Sequence, residues 1–107
     1  MNVKTEINGT SVTAFLSGEI DHHNAPQIRE AIDECVAFRQ PDRLILDFGD
    51  VTFMDSSGIG LILGRLNSVR AVGGSILIKN ARAEIAQVIK LSGLEGFLAD
   101  SRQGVNL

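Results

Sequence analysis

Two adjacent hydroxyl groups are prominent in the sequence, in the stretch Asp55-Ser56-Ser57-Gly58, which precedes a segment with helical spacing. A serine at the start of a helix commonly caps it, because its oxygen accepts a hydrogen bond from a free backbone N–H of the first turn. One serine is enough for that role, so a second hydroxyl is left for other chemistry. Two interpretations stay open at this point: a helix cap alone, or a capped turn that also carries a modifiable hydroxyl.

A phosphate group on Ser56 would suit such a turn. It would lie beside unpaired amides and the positive end of the helix dipole. It would also add about −1.5 to −2 charges at neutral pH, next to the carboxylate of Asp55. We expect the fold to tolerate this group, and we expect a protein packed against the same turn to be displaced by its bulk and charge.

A second group of reactive side chains lies upstream, at Glu19, Asp21, His22 and His23. Adjacent histidines rarely ligate one metal with good geometry, and no cysteine or third histidine lies nearby in the sequence, so we expect a solvated loop and no metal. The hydrolase motif Gly-x-Ser-x-Gly is absent, and Ser56 would need a base such as His22 within about 3 Å. No Walker or dinucleotide-binding motif is present. We therefore expect no enzyme activity unless such a base lies beside Ser56, and we expect no cofactor.

The elements that must position these groups follow the order β-β-α-β-α-β-α. This order predicts a single α/β domain with a mostly parallel sheet of four or five strands, an N-terminal hairpin and three main helices. A two-residue turn at Asn8-Gly9 would pair Ile7 with Thr10. The other expected elements are a helix at 25–38, a strand buried on both faces at 44–46, a break at 48–50, a helix at 57–70, a strand at 75–78, a helix capped by Asn80, and an optional strand at 97–98.

The second predicted helix has one clear apolar stripe at 100° per residue. Its members are Ile59, Ile62, Leu63, Leu66 and Val69. Gly60, Leu61 and Gly64 fall on the opposite side, where each glycine costs the helix about 1 kcal/mol relative to alanine. Bare backbone around an outward leucine is typical of a surface that another chain approaches closely. A third layer of the same domain would explain the pattern equally well.

The first predicted helix divides in the same way. Its apolar stripe includes Cys35, which we expect to act as a small buried hydrophobic residue. Three acidic residues lie off that stripe and are expected to form an ordinary solvated face: Glu30, Asp33 and Glu34.

The composition is typical of a globular protein. The chain has 107 residues, of which 44% are hydrophobic and 21% charged. Its net charge is −3 without a cluster of lysine or arginine, which argues against nucleic acid or a membrane as the main partner. No apolar run approaches the roughly 20 residues that span a bilayer. The single cysteine fits a reducing compartment, so we expect a cytoplasmic protein.

Taken together, these motifs resemble those of the STAS-domain anti-sigma factor antagonists of bacteria. The resemblance follows chain order over nearly the whole sequence, so we expect residues 1–107 to form one STAS domain. The tail after Asp100 is short and polar, so we expect no family contact that needs a longer tail. The sequence is most similar to the sporulation-type antagonist. The matching stretches are Gly18-Glu19-Ile20-Asp21-His22-His23, Phe53-Met54-Asp55-Ser56-Ser57-Gly58-Ile59-Gly60-Leu61-Ile62-Leu63-Gly64-Arg65, Gly73-Gly74 and Leu91-Ser92-Gly93-Leu94.

The resemblance implies a partner switch. Members of this family bind an anti-sigma factor that is also a serine kinase, and this binding releases a sigma factor. The kinase phosphorylates the serine that matches Ser56, the phosphorylated form dissociates, and a separate serine phosphatase restores it. Ser57 is the rival acceptor. The partner-binding residues implied by the same match are Asp21, Asp55, Ser57, Gly58, Gly60 and Leu61.

Two other classes of function stay open at this stage. A STAS module can also serve as a scaffold in a signalling assembly or as an accessory part of a membrane transporter, although such modules often lack the paired serines. A small serine hydrolase is the third possibility, and it would require a general base beside Ser56.

Overall fold

The computed structural model describes residues 2–99 and shows one four-stranded sheet with three α-helices. The strand order is β1-β2-β3-β4, with β1 antiparallel to β2 and the other pairs parallel. This confirms the predicted α/β fold. The elements are β1 (Val3–Asn8), β2 (Ser11–Ile20), α1 (Ala25–Arg39), β3 (Arg43–Met54), α2 (Ser56–Ala71), β4 (Ser75–Lys79) and α3 (Ala83–Leu91), followed by a 3-10 turn at Glu95–Phe97.

The hairpin is present, but its predicted register is wrong by two residues. Ile7 pairs with Val12 rather than with Thr10, and Asn8 stays in the strand. The turn needs a residue with positive φ, and Gly9 provides it at 62°. Because the shift is an even number, the apolar positions of both strands still share one face of the sheet.

Strand β3 continues through the segment 48–50, where the sequence predicted a break. Its register against β2 shifts twice, once after the pair Phe15–Asp47 and once after the pair Gly18–Val51. At each of these bulges β3 has one residue more than β2. The buried positions of β3 therefore change from a spacing of two to a spacing of three: Leu44, Leu46, Phe48, Val51 and Met54. This irregular spacing explains the mistaken prediction of a break.

The core lies between one face of the sheet and the two long helices. Helix α1 packs on β1 and β2, α2 packs on β3 and β4, and the helices contact each other. The expected burial of segment 44–46 on both faces is only partly confirmed. Leu44 and Leu46 are fully buried on the inner face, but Ile45, on the opposite face, is half-buried. The largest fully buried side chains of the inner layer include Leu16, Leu44, Leu46, Phe48, Ile28, Ile32 and Ile62.

The C-terminal part departs from the expectation in two places. Asn80 does not cap α3; it adopts a φ of 62° and its side-chain amide donates to Asp47 Oδ2 at 2.9 Å. Leu98 forms a single parallel bridge to Ile78 rather than a fifth strand. The predicted polar tail after Asp100 lies outside the described residues. Between residues 2 and 99, none of the helices is long and apolar enough to cross a bilayer.

Because β3 continues through residue 48, a substitution of Phe48 should have a large effect on stability. Phe48→Ala should lower the free energy of unfolding by about 3–5 kcal/mol, because its ring is fully buried and the structure cannot fill the cavity. Phe38→Ala is the matched control: that ring is 81% exposed, so its loss should change stability by less than about 0.5 kcal/mol. Urea unfolding of both variants measures the difference, and equal effects would contradict the assignment of Phe48 to the core.

Candidate functional site

The two polar motifs meet at one edge of the sheet. Strands β2 and β3 are parallel neighbours, and their last residues, Ile20 and Met54, are paired. The backbone N–H of Asp55 also donates to the carbonyl oxygen of Ile20 at 3.2 Å. The residues that follow each strand, Asp21 and Asp55, therefore lie beside each other. Loops after the carboxyl ends of parallel strands are common positions for binding sites.

An aspartate, and neither serine, caps helix α2. The Oδ1 atom of Asp55 accepts a hydrogen bond from the backbone N–H of Ser57 at 2.8 Å. Within residues 2–99, the structure shows no hydrogen bond to the hydroxyl group of Ser56 or Ser57. Ser56 is the first residue of the helix and is exposed, whereas Ser57 is half-buried. The interpretation of a serine as the helix cap is therefore wrong, and Ser56 lies exposed at the start of the helix.

The neighbouring loop is held by its own aspartate. Asp21 Oδ1 accepts hydrogen bonds from the backbone N–H groups of His23 and Asn24, both at 3.0 Å. The Asn24 bond is the main reason why the pKa of Asp21 lies below its usual value. The side chain of Asn24 does not cap α1 but donates to the carbonyl oxygen of Glu19 at 2.9 Å. Asp21 is therefore a fixed, ionised carboxylate.

Helix α2 is oriented differently from the expectation. Leu61 is only 4% exposed, while Leu63, which the sequence placed in the core, is 44% exposed. The helix is covered on two sides, by the sheet and by α1, so its buried surface is wider than a single stripe. Leu61 lies on the side of α2 that faces α1. The prediction that Leu61 points outward is therefore wrong. The alternative of a cover from the same domain is right, but that cover is α1 in the same helical layer and not a third layer.

Gly58 is also turned inward, so the expectation of a close external contact at this residue is wrong. A Cβ atom at position 58 would overlap the side chain of Met54 and lie 3.5 Å from Ile20 Cγ2. Gly60 and Gly64 do leave the backbone bare: a Cβ atom on either would meet nothing within 4 Å, outside the helix's own backbone. The bare backbone of α2 is therefore at these two positions.

These glycines border an open groove of about 420 Å³ between α1 and α2. We call it the α1–α2 groove. Its lining begins at Ser57 in the first turn of α2 and continues along both helices. The lining includes His22, Arg29, Ser57, Gly60, Gly64 and Arg65.

An ion pair that the sequence did not predict closes the inner side of this groove. Arg65 Nε lies 2.7 Å from Asp33 Oδ1, and Arg65 is only 5% exposed. The N–H bond of Arg65 does not point along that line, so the pair is close but not a well-aligned hydrogen bond. Burial lowers the pKa of Arg65, and the charge of Arg29 lowers it further against the opposing effect of Asp33. The expectation that Asp33 belongs to an ordinary solvated face is therefore wrong.

The two histidines and Cys35 were the other candidates, and within residues 2–99 they form no metal-binding group. The rings of His22 and His23 stack with centroids 4.2 Å apart. In the part of the chain from residue 2 to residue 99, no three His, Cys, Asp or Glu side chains are grouped closely enough to hold a metal ion. Cys35 is half-buried and packs against the core.

Residues 2–104 match the family model of the STAS domain. The anti-sigma F factor antagonist of Paenibacillus polymyxa is 37% identical over 79 residues, which cover 74% of this chain and 68% of that protein. The antagonist of the same name from Lysinibacillus sphaericus is 34% identical, over 87% of this chain and 80% of that protein. This chain belongs to the STAS-domain family of anti-sigma factor antagonists.

Solved structures agree with that assignment. The unphosphorylated form of the anti-sigma factor antagonist SpoIIAA matches with a TM-score of 0.83 at 33% identity, over 94% of this chain and 89% of that one. The phosphorylated form of Bacillus SpoIIAA matches with a TM-score of 0.73 at 34% identity, over 94% and 92% of the two chains. The antagonist described here therefore shares its whole described fold with SpoIIAA.

The two classes of glycine in α2 of the antagonist lead to a prediction. Gly58→Val should lower the free energy of unfolding by about 1–3 kcal/mol, because the new side chain overlaps Met54 in the core. Gly60→Ala should raise it by up to about 1 kcal/mol, because alanine favours the helix and meets no neighbour. Urea unfolding measures both. A Gly58→Val variant as stable as the wild type would show that position 58 is not internally packed.

The Asp33–Arg65 pair gives a second prediction. Asp33→Ala should destabilise the antagonist by about 1–2 kcal/mol, because it leaves the buried guanidinium of Arg65 without its acidic partner. The loss is not larger because the carboxylate of Asp33 is partly exposed, so water screens the interaction. In an Arg65→Met background the same change should have almost no effect. Glu30→Ala, an exposed change on the same helix, is the control. Thermal unfolding of this set gives the coupling energy, and additive effects would refute the interaction.

Proposed function

We propose that the unphosphorylated antagonist binds an anti-sigma factor that is a serine kinase, and that phosphorylation of Ser56 ends this binding and so returns the sigma factor to its inhibitor. The observation that carries the proposal is the exposed Ser56 hydroxyl, free of a capping bond, at the first residue of α2. A kinase can reach this atom without any change of the fold.

The electrostatics of the turn support a charge switch. A phosphate on Ser56 would lie beside the free amides of the first turn, which favour negative charge. It would also lie next to the carboxylates of Asp55 and, across the β2–β3 edge, of Asp21. A partner that uses a basic residue to approach these carboxylates in the unmodified state would meet a bulkier and differently placed charge after phosphorylation. SpoIIAA, which shares this fold, has been solved in both unphosphorylated and phosphorylated forms.

Exposure favours Ser56 over Ser57 as the acceptor. Ser57 is half-buried, its N–H is engaged by Asp55, and its side of the helix lines the α1–α2 groove. We propose that Ser57 and Gly60 contact the partner through the groove, and that Asp21 and Asp55 do so at the sheet edge. Gly58 and Leu61 would support this surface from beneath. A serine phosphatase would remove the phosphate, and residues 1–107 would act as one binding domain without catalytic activity of its own.

Variants of the turn Asp55-Ser56-Ser57-Gly58, the proposed acceptor turn, test the proposal. Ser56→Ala should bind the cognate anti-sigma kinase with or without ATP, whereas wild type should lose affinity once ATP is added. Ser56→Asp should bind at least about tenfold more weakly, since misplaced charge at an interface costs more than about 1.4 kcal/mol. Ser57→Ala is the matched control and should still be switched off by ATP.

The measurements are titration calorimetry with each serine-kinase anti-sigma factor of the same organism, and mass spectrometry of the ATP-treated antagonist. Equal affinities of wild type, Ser56→Ala and Ser56→Asp, in the presence of ATP, would refute the switch. A phosphate found on Ser57 would move the acceptor to the neighbouring residue.

A further inference from the structure

We propose that the α1–α2 groove receives an acidic side chain of the anti-sigma factor, held by Arg29 at the rim. This inference rests on the proposed function, and it adds a second electrostatic contact of opposite sign to the one at Asp21 and Asp55. The partner would accordingly present a base to the sheet edge and an acid to the groove.

The charge of the groove is the first observation. The chain as a whole carries a formal charge of −3, yet the ionisable side chains that line this groove are all basic: His22, Arg29 and Arg65. Among the residues from 2 to 99 that line the groove, none is an aspartate or a glutamate. A concave surface with one sign of charge attracts a ligand group of the opposite sign. The complement of this groove is therefore an anion.

The two arginines have different roles. Asp33 already balances Arg65, which is buried at the inner side of the groove. Arg29 is exposed and forms no ion pair with the residues between 2 and 99. Its charge is close enough to Arg65 to disfavour the protonated state of that buried group. A carboxylate placed between the two guanidinium groups would relieve this repulsion, and the planar fork of Arg29 suits such a ligand.

The shape of the groove fits a protein side chain. Gly60 and Gly64 leave the α2 backbone bare on one side, and about 420 Å³ of open space lies above it. The groove also begins at Ser57, one residue from the proposed phosphorylation site. A chain that docks on the acceptor turn therefore passes over the groove. These features favour a glutamate or aspartate of the same partner over a free small anion.

A charge-reversal experiment tests the proposal. Arg29→Glu and Arg29→Gln are compared with Arg43→Glu, which makes the same change of charge on an exposed residue at the opposite end of β3. Affinity for the anti-sigma kinase is measured without ATP at about 0.05 M and about 0.5 M salt. Arg29→Glu should weaken binding by at least about tenfold at low salt, Arg29→Gln by about threefold, and Arg43→Glu by less than about twofold. At high salt the affinities of the three variants should lie closer to that of the wild type, because salt screens the charges.

A charge swap completes the test. Single Asp→Lys or Glu→Lys variants of the anti-sigma factor should include one that binds wild type weakly and regains affinity for Arg29→Glu. Arg29→Glu binding as well as wild type would overturn the groove proposal while leaving the Ser56 switch intact. Wild type failing to bind any such kinase would overturn both. Equal losses of affinity for Arg29→Glu and Arg43→Glu would show a nonspecific charge effect and would also overturn the groove proposal. Circular dichroism verifies that all variants are folded.

Discussion

The parallel pairing of β2 with β3 is the constraint on which the site depends. It brings the ends of two distant segments, Ile20 and Met54, to the same edge of the sheet. The Asp55–Ile20 backbone hydrogen bond then fixes the turn that carries Ser56 relative to the loop that holds Asp21. Neither segment could present this surface alone, because each supplies only one of the two carboxylates and α2 begins from the second segment.

The sequence was sufficient for the order and type of the main elements. Alternation of apolar residues, helical periodicity and a few glycines predicted the hairpin, the parallel sheet and the three helices, since these patterns reflect burial on one face. Details that depend on tertiary context were not accessible. The bulges in β3 changed the period of its buried residues, and contact with α1 on a second side of α2 buried Leu61 and exposed Leu63.

The candidate site was predicted unevenly for the same reason. The Asp-Ser-Ser-Gly turn is a local feature, so its position before a helix could be read directly, although Asp55 rather than a serine is the cap. The basic groove was missed because its residues come from two helices that are far apart in sequence. A single arginine within an otherwise apolar segment, at Arg65, was the one available signal: such a residue needs a nearby acid when buried.

The two bulges of β3 have a consequence for how this domain can vary in length. At each bulge two successive residues of β3 point outward, so the extra residue is absorbed and the strand is not turned over. Val51 after the first bulge and Met54 after the second bulge both remain in the core. Deletion of one bulge residue would restore simple alternation and leave α2 on the same side, whereas a single-residue deletion in the regular part at 44–48 would turn the following segment over. Changes of length before α2 are therefore compatible with the fold at the bulges and not in the regular part of β3.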